Sequence, residues 1–370
     1  MSGGPVGVAL VGAGVISTQY LTALSTFPDI RVLAVADLDA ERARAQAQAY
    51  GVPVHGDVAA ALAVPEVEIV VNLTIPAAHA EVAAEALRAG KHVYGEKPLA
   101  LAPADGAKIL AEARSRGLRV GSAPDTFLGA GLQSAARALG AGLIGEPVSV
   151  AAVTQGPGPE SWHPSPEFLF QHGAGPLFDI GPYYLTALVS LLGPVTRVSA
   201  TARQARSHRV IGSGPKAGTT FAVEVPTHVH ALLDFASGPS ASATFSFDSA
   251  APRRMIEITG TEGVLSLPDP NTFAGPLRIR ALTDPGEQEW RELPVTGTTA
   301  GRGIGVLDMA RGLRGDVPHR ASGELALHVL ELMSTVTDAA QRHEVLGLDS
   351  RAPVVETLPD GWDPVAATLT

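Results

Sequence analysis

Several short clusters in this 370-residue chain combine residue types that can do chemistry. The first, Gly12-Ala13-Gly14-Val15-Ile16-Ser17, follows the apolar run Val6–Val11 and opens a stretch with helical spacing. A glycine at a strand end permits a tight turn, and a second lets backbone approach a pyrophosphate. The amides of Val15 and Ile16, at a helix N-terminus, would then face the phosphate charge. Ser17 stands where a third glycine is expected and is small enough for close helix–strand packing. Taken alone, Gly-x-Gly is equally a plain turn. Asp37 lies 20 residues beyond Ser17, at the end of the second apolar run. A carboxylate there can accept from both hydroxyls of a ribose, each charge-assisted bond being worth about 1.5–3 kcal/mol. Its plainer reading is a cap on the next helix, a task that Asp39 is better placed to do. Strand, glycines, helix, strand and acid in register predict a dinucleotide site. Asp37 would repel a 2′-phosphate, which favours NAD(H); Arg42 and Arg44 keep NADP(H) open.

Gly95-Glu96-Lys97-Pro98 follows the fourth strand-like run. That is the carboxyl edge of an α/β sheet, where ligands bind. A partly desolvated Lys97 can donate to a substrate oxygen and lower the pKa of a nearby acid, or it is a solvated turn lysine. Asp179 and Tyr183 are four apart and share one face if Phe178–Leu192 is a helix, with Pro182 in its first turn. A phenol titrates near 10, too high for an efficient base at neutral pH unless a cation such as Lys97 favours the phenolate. The alternative for Tyr183 is a core aromatic beside Tyr184. Ahead of this helix, Gly156–Gly175 is rich in Pro, Gly and aromatics and has no period, as in functional loops and lids. Trp162 and His163 within it could hold a sugar by a ring face and hydrogen bonds, or could simply pack the loop.

The elements that must position these residues fall into two patterns. Val6–Val11, Ile30–Ala36, Val67–Leu73, Lys91–Tyr94 and Leu118–Gly121 are apolar runs. They alternate with helical stretches at Ile16–Thr26, Ala40–Tyr50, Ala77–Ala89 and Pro103–Arg116. Continuous apolar strands separated by helices predict a parallel sheet covered on both faces, a doubly wound α/β Rossmann-type domain. From about residue 145 the strands Val148–Thr154, Arg197–Gln204, Phe221–Phe235, Ser240–Phe247, Met255–Gly260 and Leu277–Leu282 follow one another with few helices. Alternation within Ser242–Asp248 suits a sheet with unlike faces, and helices near Arg302–Arg314 and Ser322–Arg342 close the pattern. The second half is expected to be an α+β domain around an open, mainly antiparallel sheet. The domain division is placed at 1–125 and 126–370, with the final helix free to pack back on the first domain.

Composition narrows the chemistry. Hydrophobic residues make up 45% and charged residues 17%, which excludes a disordered chain. The chain contains no cysteine, so thiolate nucleophiles and sulfur-ligated metals are out. A formal net charge of −10 disfavours nucleic acid as a partner. No signal peptide is read at the start, and the longest apolar helix candidate, Tyr183–Leu192, is too short to span a bilayer, so a cytoplasmic location is expected. His228 and His230 share a strand face without a third ligand, so no metal is expected. Gly212-x-Gly214 reads as a turn, and Gly301-x-Gly303-x-Gly305 follows no apolar strand, which argues against a second phosphate site.

In their order and spacing, Gly12-x-Gly14, Asp37, Glu96-Lys97-Pro98 and Asp179-Ile180-Gly181-Pro182-Tyr183 resemble the glucose–fructose oxidoreductase/inositol dehydrogenase (Gfo/Idh/MocA) family. The resemblance covers both halves. It implies that Lys97 is the catalytic lysine, Glu96 a contact to the nicotinamide-side ribose, and Asp179 an acid near the substrate hydroxyls. Thr74, Pro76 and His79 match the family's loop near the nicotinamide, and Asp125 falls where the family lines its site. Tyr183 occupies a position that is histidine in inositol dehydrogenase-like members and looks like the tyrosine acid/base branch.

The expected activity is hydride transfer between NAD(P) and a sugar, polyol or sugar-derived alcohol or ketone. Tyr183 would take the proton, Lys97 polarise the oxygen and Asp179 orient a neighbouring hydroxyl, across an interdomain cleft. One alternative is a glycoside hydrolase or lyase that uses NAD transiently without net redox change. Another is a non-catalytic dinucleotide-binding co-regulator. The resemblance also implies a homodimer or homotetramer through the second sheet.

Overall fold

The computed structural model describes residues 3–282 and 289–369. Two compact units divide the chain. One takes in the chain up to Ala130, Gly297–Leu330 and the stretch from Val355, and the other Gly131–Thr296 and Glu331–Val354. Neither is continuous in sequence.

The first unit opens with β1 (Val6–Val11), α1 (Val15–Leu24), β2 (Ile30–Ala36), α2 (Ala40–Tyr50), β3 (Val54–Gly56) and α3 (Val58–Leu62). It continues through β4 (Val67–Asn72), α4 (His79–Arg88), β5 (His92–Gly95), α5 (Pro103–Ser115) and β6 (Val120–Ser122). All six strands are parallel, in the order β3-β2-β1-β4-β5-β6. Every residue of β1 is buried, as a central strand with helices on both faces requires. The short β3 and α3 carry too little apolar periodicity to stand out in the sequence. The order reverses between β1 and β4, and open α/β sheets bind ligands beyond the strand ends at such a point.

The second unit contains α6 (Ala130–Gly140), β7 (Pro147–Gln155), α7 (Gly175–Asp179), α8 (Gly181–Leu192), β8 (Val195–Arg203), β9 (His208–Val210) and β10 (Thr220–Ala222). Then come β11 (His228–Phe235), β12 (Ser240–Ser246), β13 (Arg253–Gly260), β14 (Gly263–Ser266), β15 (Leu277–Ala281) and β16 (Arg291–Leu293). In the chain order that follows, α9 (Ile304–Gly315) and the start of α10 (Gly323–Arg342) fall in the first unit, while the later turns of α10 and a short β17 (Leu346–Gly347) fall in the second. Nine strands form one sheet in the order β16-β15-β14-β13-β7-β12-β11-β8-β17. Its only parallel pair among the described residues is β7 with β12. Burial alternates along β11, with Val229, Ala231, Leu233 and Phe235 inside and His230 and Leu232 outside. Helix α8 is apolar on nearly every side, and ten of its twelve residues are buried. Each large apolar side chain so buried contributes roughly 1.5–3 kcal/mol.

Two expected elements are interrupted by proline. The single strand Phe221–Phe235 is instead β10 and β11, parted around Pro226, which has no N–H to give a ladder. Similarly, the single helix Phe178–Leu192 is two helices with a break at Ile180. Pro182 cannot donate back to Phe178 and its ring would clash with that carbonyl, so the helix restarts with Pro182 in its first turn. Asp179 and Tyr183 therefore do not share the face of one continuous helix.

Candidate functional site

At the switch point the chain builds a cradle. Gly12 has φ +103°, and a Cβ there would lie 2.6 Å from the Leu73 carbonyl, so only glycine fits between β1 and β4. Gly14 is different: no described residue comes within 4 Å of where its Cβ would be. Packing does not demand a glycine there, and the space it leaves open is where a phosphate could approach the backbone. Among the described residues no side chain caps the first turn of α1, which leaves its dipole facing that space. Ser17 is fully buried and its hydroxyl donates to the Gly14 carbonyl at 2.6 Å, which fixes the turn.

Asp37 closes the cradle. Its Oδ2 accepts the Ala13 amide at 2.6 Å and its Oδ1 the Asp39 amide at 2.8 Å. Asp39 caps α2 by accepting from the amides of Glu41 and Arg42, so Asp37 is not needed as a cap. Arg42 pairs with Asp39 and Arg44 with Glu41, so both guanidinium groups are engaged on their own helix. Large apolar side chains around this crevice stand exposed: Val15 at 92%, Leu38 at 101% and Ile75 at 69%. Such surfaces suit the flat rings of a dinucleotide, and the cradle, the acid and these faces together fit NAD.

The loop after β4 is tied down by a buried histidine. His79 Nδ1 lies 2.7 Å from the Pro98 carbonyl and Nε2 3.0 Å from the Thr74 carbonyl. Both ring nitrogens are thus engaged by backbone, and His79 holds the Thr74–Pro76 segment against the Lys97-Pro98 turn. Thr74 donates to Asn72 Oδ1, whose amide donates to the His79 carbonyl. The peptide between Lys97 and Pro98 is cis. Beside it Glu96 is almost fully buried, accepting from the Tyr20 hydroxyl at 2.8 Å and the Lys97 amide at 3.0 Å. Burial, then the carboxylates of Glu96 and Asp125, raise the Tyr20 phenol well above its ordinary value, so it stays a donor to Glu96.

Asp125 is fully buried. Its Oδ2 accepts the amides of Gly303 (2.8 Å) and Gly305 (3.0 Å), so it caps α9 from 178 residues away. Oδ1 has no partner among the described residues. Burial pushes its pKa up to about 6, against the two amides and Arg302, which pull it down. The glycines at 303 and 305, unassigned in the sequence, thus serve a carboxylate of the chain itself.

In the second unit a cavity of about 420 Å³ opens beside the end of α7. Asp179 lines it, with Trp162 from the 156–162 loop, Gln155 at the end of β7, and Arg254 and Asn271. Tyr183 is buried at the start of α8 and is not among the lining residues, whereas its neighbour Tyr184 is. Burial, then the Asp269 carboxylate, push the Tyr184 phenol above its ordinary range, leaving it a donor. Gln155, Arg254 and Asn271 were not legible in advance, because isolated polar residues at strand ends carry no local motif. His163 sits next to Trp162 with Nδ1 accepting the Ser165 amide at 3.0 Å. His228 and His230 instead bond Ser246 and Thr244 across the strand pair.

A parallel sheet in this strand order, with a glycine cradle closed by an acid at the switch point, defines the class of NAD-binding Rossmann oxidoreductases. Residues 6–123 match the model for the oxidoreductase family with an NAD-binding Rossmann fold, and 132–266 the GFO/IDH/MocA C-terminal domain. The chain belongs to the Gfo/Idh/MocA family. It is 32% identical to dTDP-3,4-didehydro-2,6-dideoxy-alpha-D-glucose 3-reductase of Streptomyces antibioticus, over 70% of this chain and 74% of that one. It is 28% identical to trans-1,2-dihydrobenzene-1,2-diol dehydrogenase of Bos taurus, over 70% and 73%. An NAD binding oxidoreductase from Klebsiella pneumoniae superposes with a TM-score of 0.80 at 25% identity, over 94% of this chain and all of that one. Levoglucosan dehydrogenase in complex with NADH and L-sorbose shares the fold, with a TM-score of 0.80 at 19% identity over 94% and 100%.

Proposed function

We propose that this chain oxidises or reduces a carbon–oxygen centre of a sugar, polyol or sugar-derived compound with NAD as hydride partner. The observation that carries the reading is the Gly14 cradle closed by Asp37, in a chain whose relatives are named for reduction of a sugar derivative and dehydrogenation of a diol. Bound NAD supplies the hydride acceptor or donor. Asp37 would hold the adenosine ribose, Glu96 the other ribose, and the Thr74–Pro76 segment, held in place by His79, would border the nicotinamide. Because the Asp37 carboxylate would repel a 2′-phosphate at this ribose, NAD is favoured over NADP.

The proton is handled by the chain. In the oxidative direction Tyr183 accepts the hydroxyl proton as the carbon gives up hydride, and Lys97 polarises the oxygen and favours the phenolate. Asp179, on the cavity wall, orients a neighbouring hydroxyl. Asp125, engaged by the Gly303 and Gly305 amides, would act on the substrate only through the α9 terminus that it holds, and Trp162 and His163 offer ring faces to the substrate. We also propose a cytoplasmic homodimer or homotetramer assembled through the outer face of the nine-stranded sheet. Supporting this, Leu232 on that face is 53% exposed. A screen of sugars and polyols with NAD⁺ and NADP⁺, followed by absorbance of the reduced cofactor, tests the activity. No turnover with any polyhydroxylated substrate would sink it.

A further inference from the structure

We propose that the cavity of the second unit continues into an aromatic subsite, formed by Trp162, His163 and Phe168, for the ring of an uncharged aglycone. The preferred substrate is then a glycoside rather than a free sugar. This rests on the sugar-oxidoreductase reading above and adds the substrate class.

Three observations carry it. First, the rings form a row. Trp162 and His163 meet edge to face with centroids 5.5 Å apart, and His163 and Phe168 do the same at 5.5 Å. The row starts at the cavity wall, since Trp162 lines it, and Trp162 and Phe168 are 67% and 56% exposed. Core packing does not account for two large aromatics left open at one end of a cavity.

Second, the backbone beneath them is braced. Arg209 is buried and donates to Glu160, to Asp248 and to the carbonyls of Pro157 (3.2 Å) and Phe247 (3.1 Å). Glu160 in turn precedes Trp162 by two residues, and its carbonyl accepts the Gly212 amide at 2.8 Å. Gly214 has φ +72°, and a Cβ there would stand 2.6 Å from Pro164. Lys216 pairs with Glu167, next to Phe168, at 2.7 Å. Rings held on an ordered scaffold lose little entropy when a ligand stacks on them.

Third, the charge around the cavity selects the aglycone. Its charged lining is Asp179, Asp269 and Arg254, two carboxylates against one guanidinium that already faces Asp269 at 3.6 Å. A sugar joined to a diphosphate would meet more negative than positive charge there. A neutral apolar ring meets aromatic faces.

The test uses the full chain with NADH bound. Calorimetry compares D-glucose, D-galactose and D-xylose with their phenyl β-glycosides. At least one glycoside is expected to bind about 10-fold or more tightly than its free sugar, as stacking of about 1–3 kcal/mol on an aromatic gives. In Trp162→Ala that gain should shrink to within about 2-fold, Trp162→Phe should restore part of it, and Phe168→Ala should cost several-fold. No gain for any pair, a gain that survives both alanine variants, or tighter binding of the corresponding nucleoside diphosphate sugars would each overturn the subsite. A Trp162-dependent gain without reduced cofactor from NAD⁺ would uphold the subsite and count against the oxidoreductase reading instead.

Discussion

The backbone amide of Ala13 donates to Asp37, 24 residues further on, at 2.6 Å. The turn that would receive phosphate and the acid that would receive ribose are therefore one hydrogen-bonded unit, and damage to either reaches both. Asp37→Ala should raise KM for NAD⁺ about 10- to 100-fold, the worth of one lost charge-assisted bond, with a smaller change in kcat. Asp37→Asn should raise it less and should narrow the preference for NAD⁺ over NADP⁺. Steady-state kinetics with both cofactors checks this, and an unchanged KM in Asp37→Ala would remove the acid from the site.

Tyr183→Phe keeps the ring that α8 buries and removes only the hydroxyl. With Tyr183 as the proton acceptor, kcat/KM should fall about 10²- to 10⁴-fold while the melting temperature holds. The remaining rate should lose its rise with pH. A variant that keeps the wild-type pH profile would point to another group, and Tyr184 is the first to examine because it lines the cavity.

Asp125 supplies a pH dependence of stability. Its folded pKa of about 6 lies above the ordinary value of 3.8, so the folded state holds a proton more tightly than the unfolded chain. The stabilisation is complete below about pH 4 and is lost as pH rises through 6; its size is on the order of 2–3 kcal/mol. Asp125→Asn, whose side-chain oxygen can still cap α9, should flatten the pH dependence of the melting temperature between pH 4 and 7. Equal slopes in the two proteins would contradict the assignment.

Arg209 joins Glu160, Asp248 and two carbonyls at the base of the cavity loop. Arg209→Ala leaves two poorly solvated carboxylates unpaired, a loss expected to cost about 3–5 kcal/mol. Chemical denaturation should show it, and a cost under about 1 kcal/mol would mean that water replaces the guanidinium freely.

Self-association is the prediction furthest from any single contact. Light scattering at micromolar concentration should return a dimer or larger. A Leu232→Arg substitution on the outer sheet face should shift it toward monomer, and a monomeric wild type would contradict the proposed assembly.

The first unit was legible in the sequence because its signals are local. Buried parallel strands are continuous apolar runs, so Ile30–Ala36 and Ala40–Tyr50 are found at the residues expected. What escaped depends on long-range contact or on short elements. Nothing in Ala123-Pro124-Asp125-Thr126 announces that Asp125 will cap a helix beginning at Ile304, and the Gly303 and Gly305 amides are intelligible only once that carboxylate is beside them. His79 likewise matched a loop motif, yet its ring is engaged by two backbone carbonyls from different segments. Periodicity carried helix spacing through Asp179 and Tyr183 because it does not register the break that Pro182 forces at Ile180. The cavity was half visible: Asp179 and Trp162 sit in motifs, whereas Gln155, Arg254 and Asn271 converge only through the sheet.

The central claim is net hydride transfer to NAD assisted by Lys97. Its most direct test is accumulation of reduced nicotinamide, read by absorbance with NAD⁺ and the best substrate from the screen, in wild type and Lys97→Ala. The account predicts one reduced cofactor per substrate converted, and a loss of about 10²- to 10⁴-fold in kcat/KM for the variant. Product formed without accumulating reduced cofactor, or a variant that keeps more than about a tenth of the wild-type kcat/KM, would contradict it.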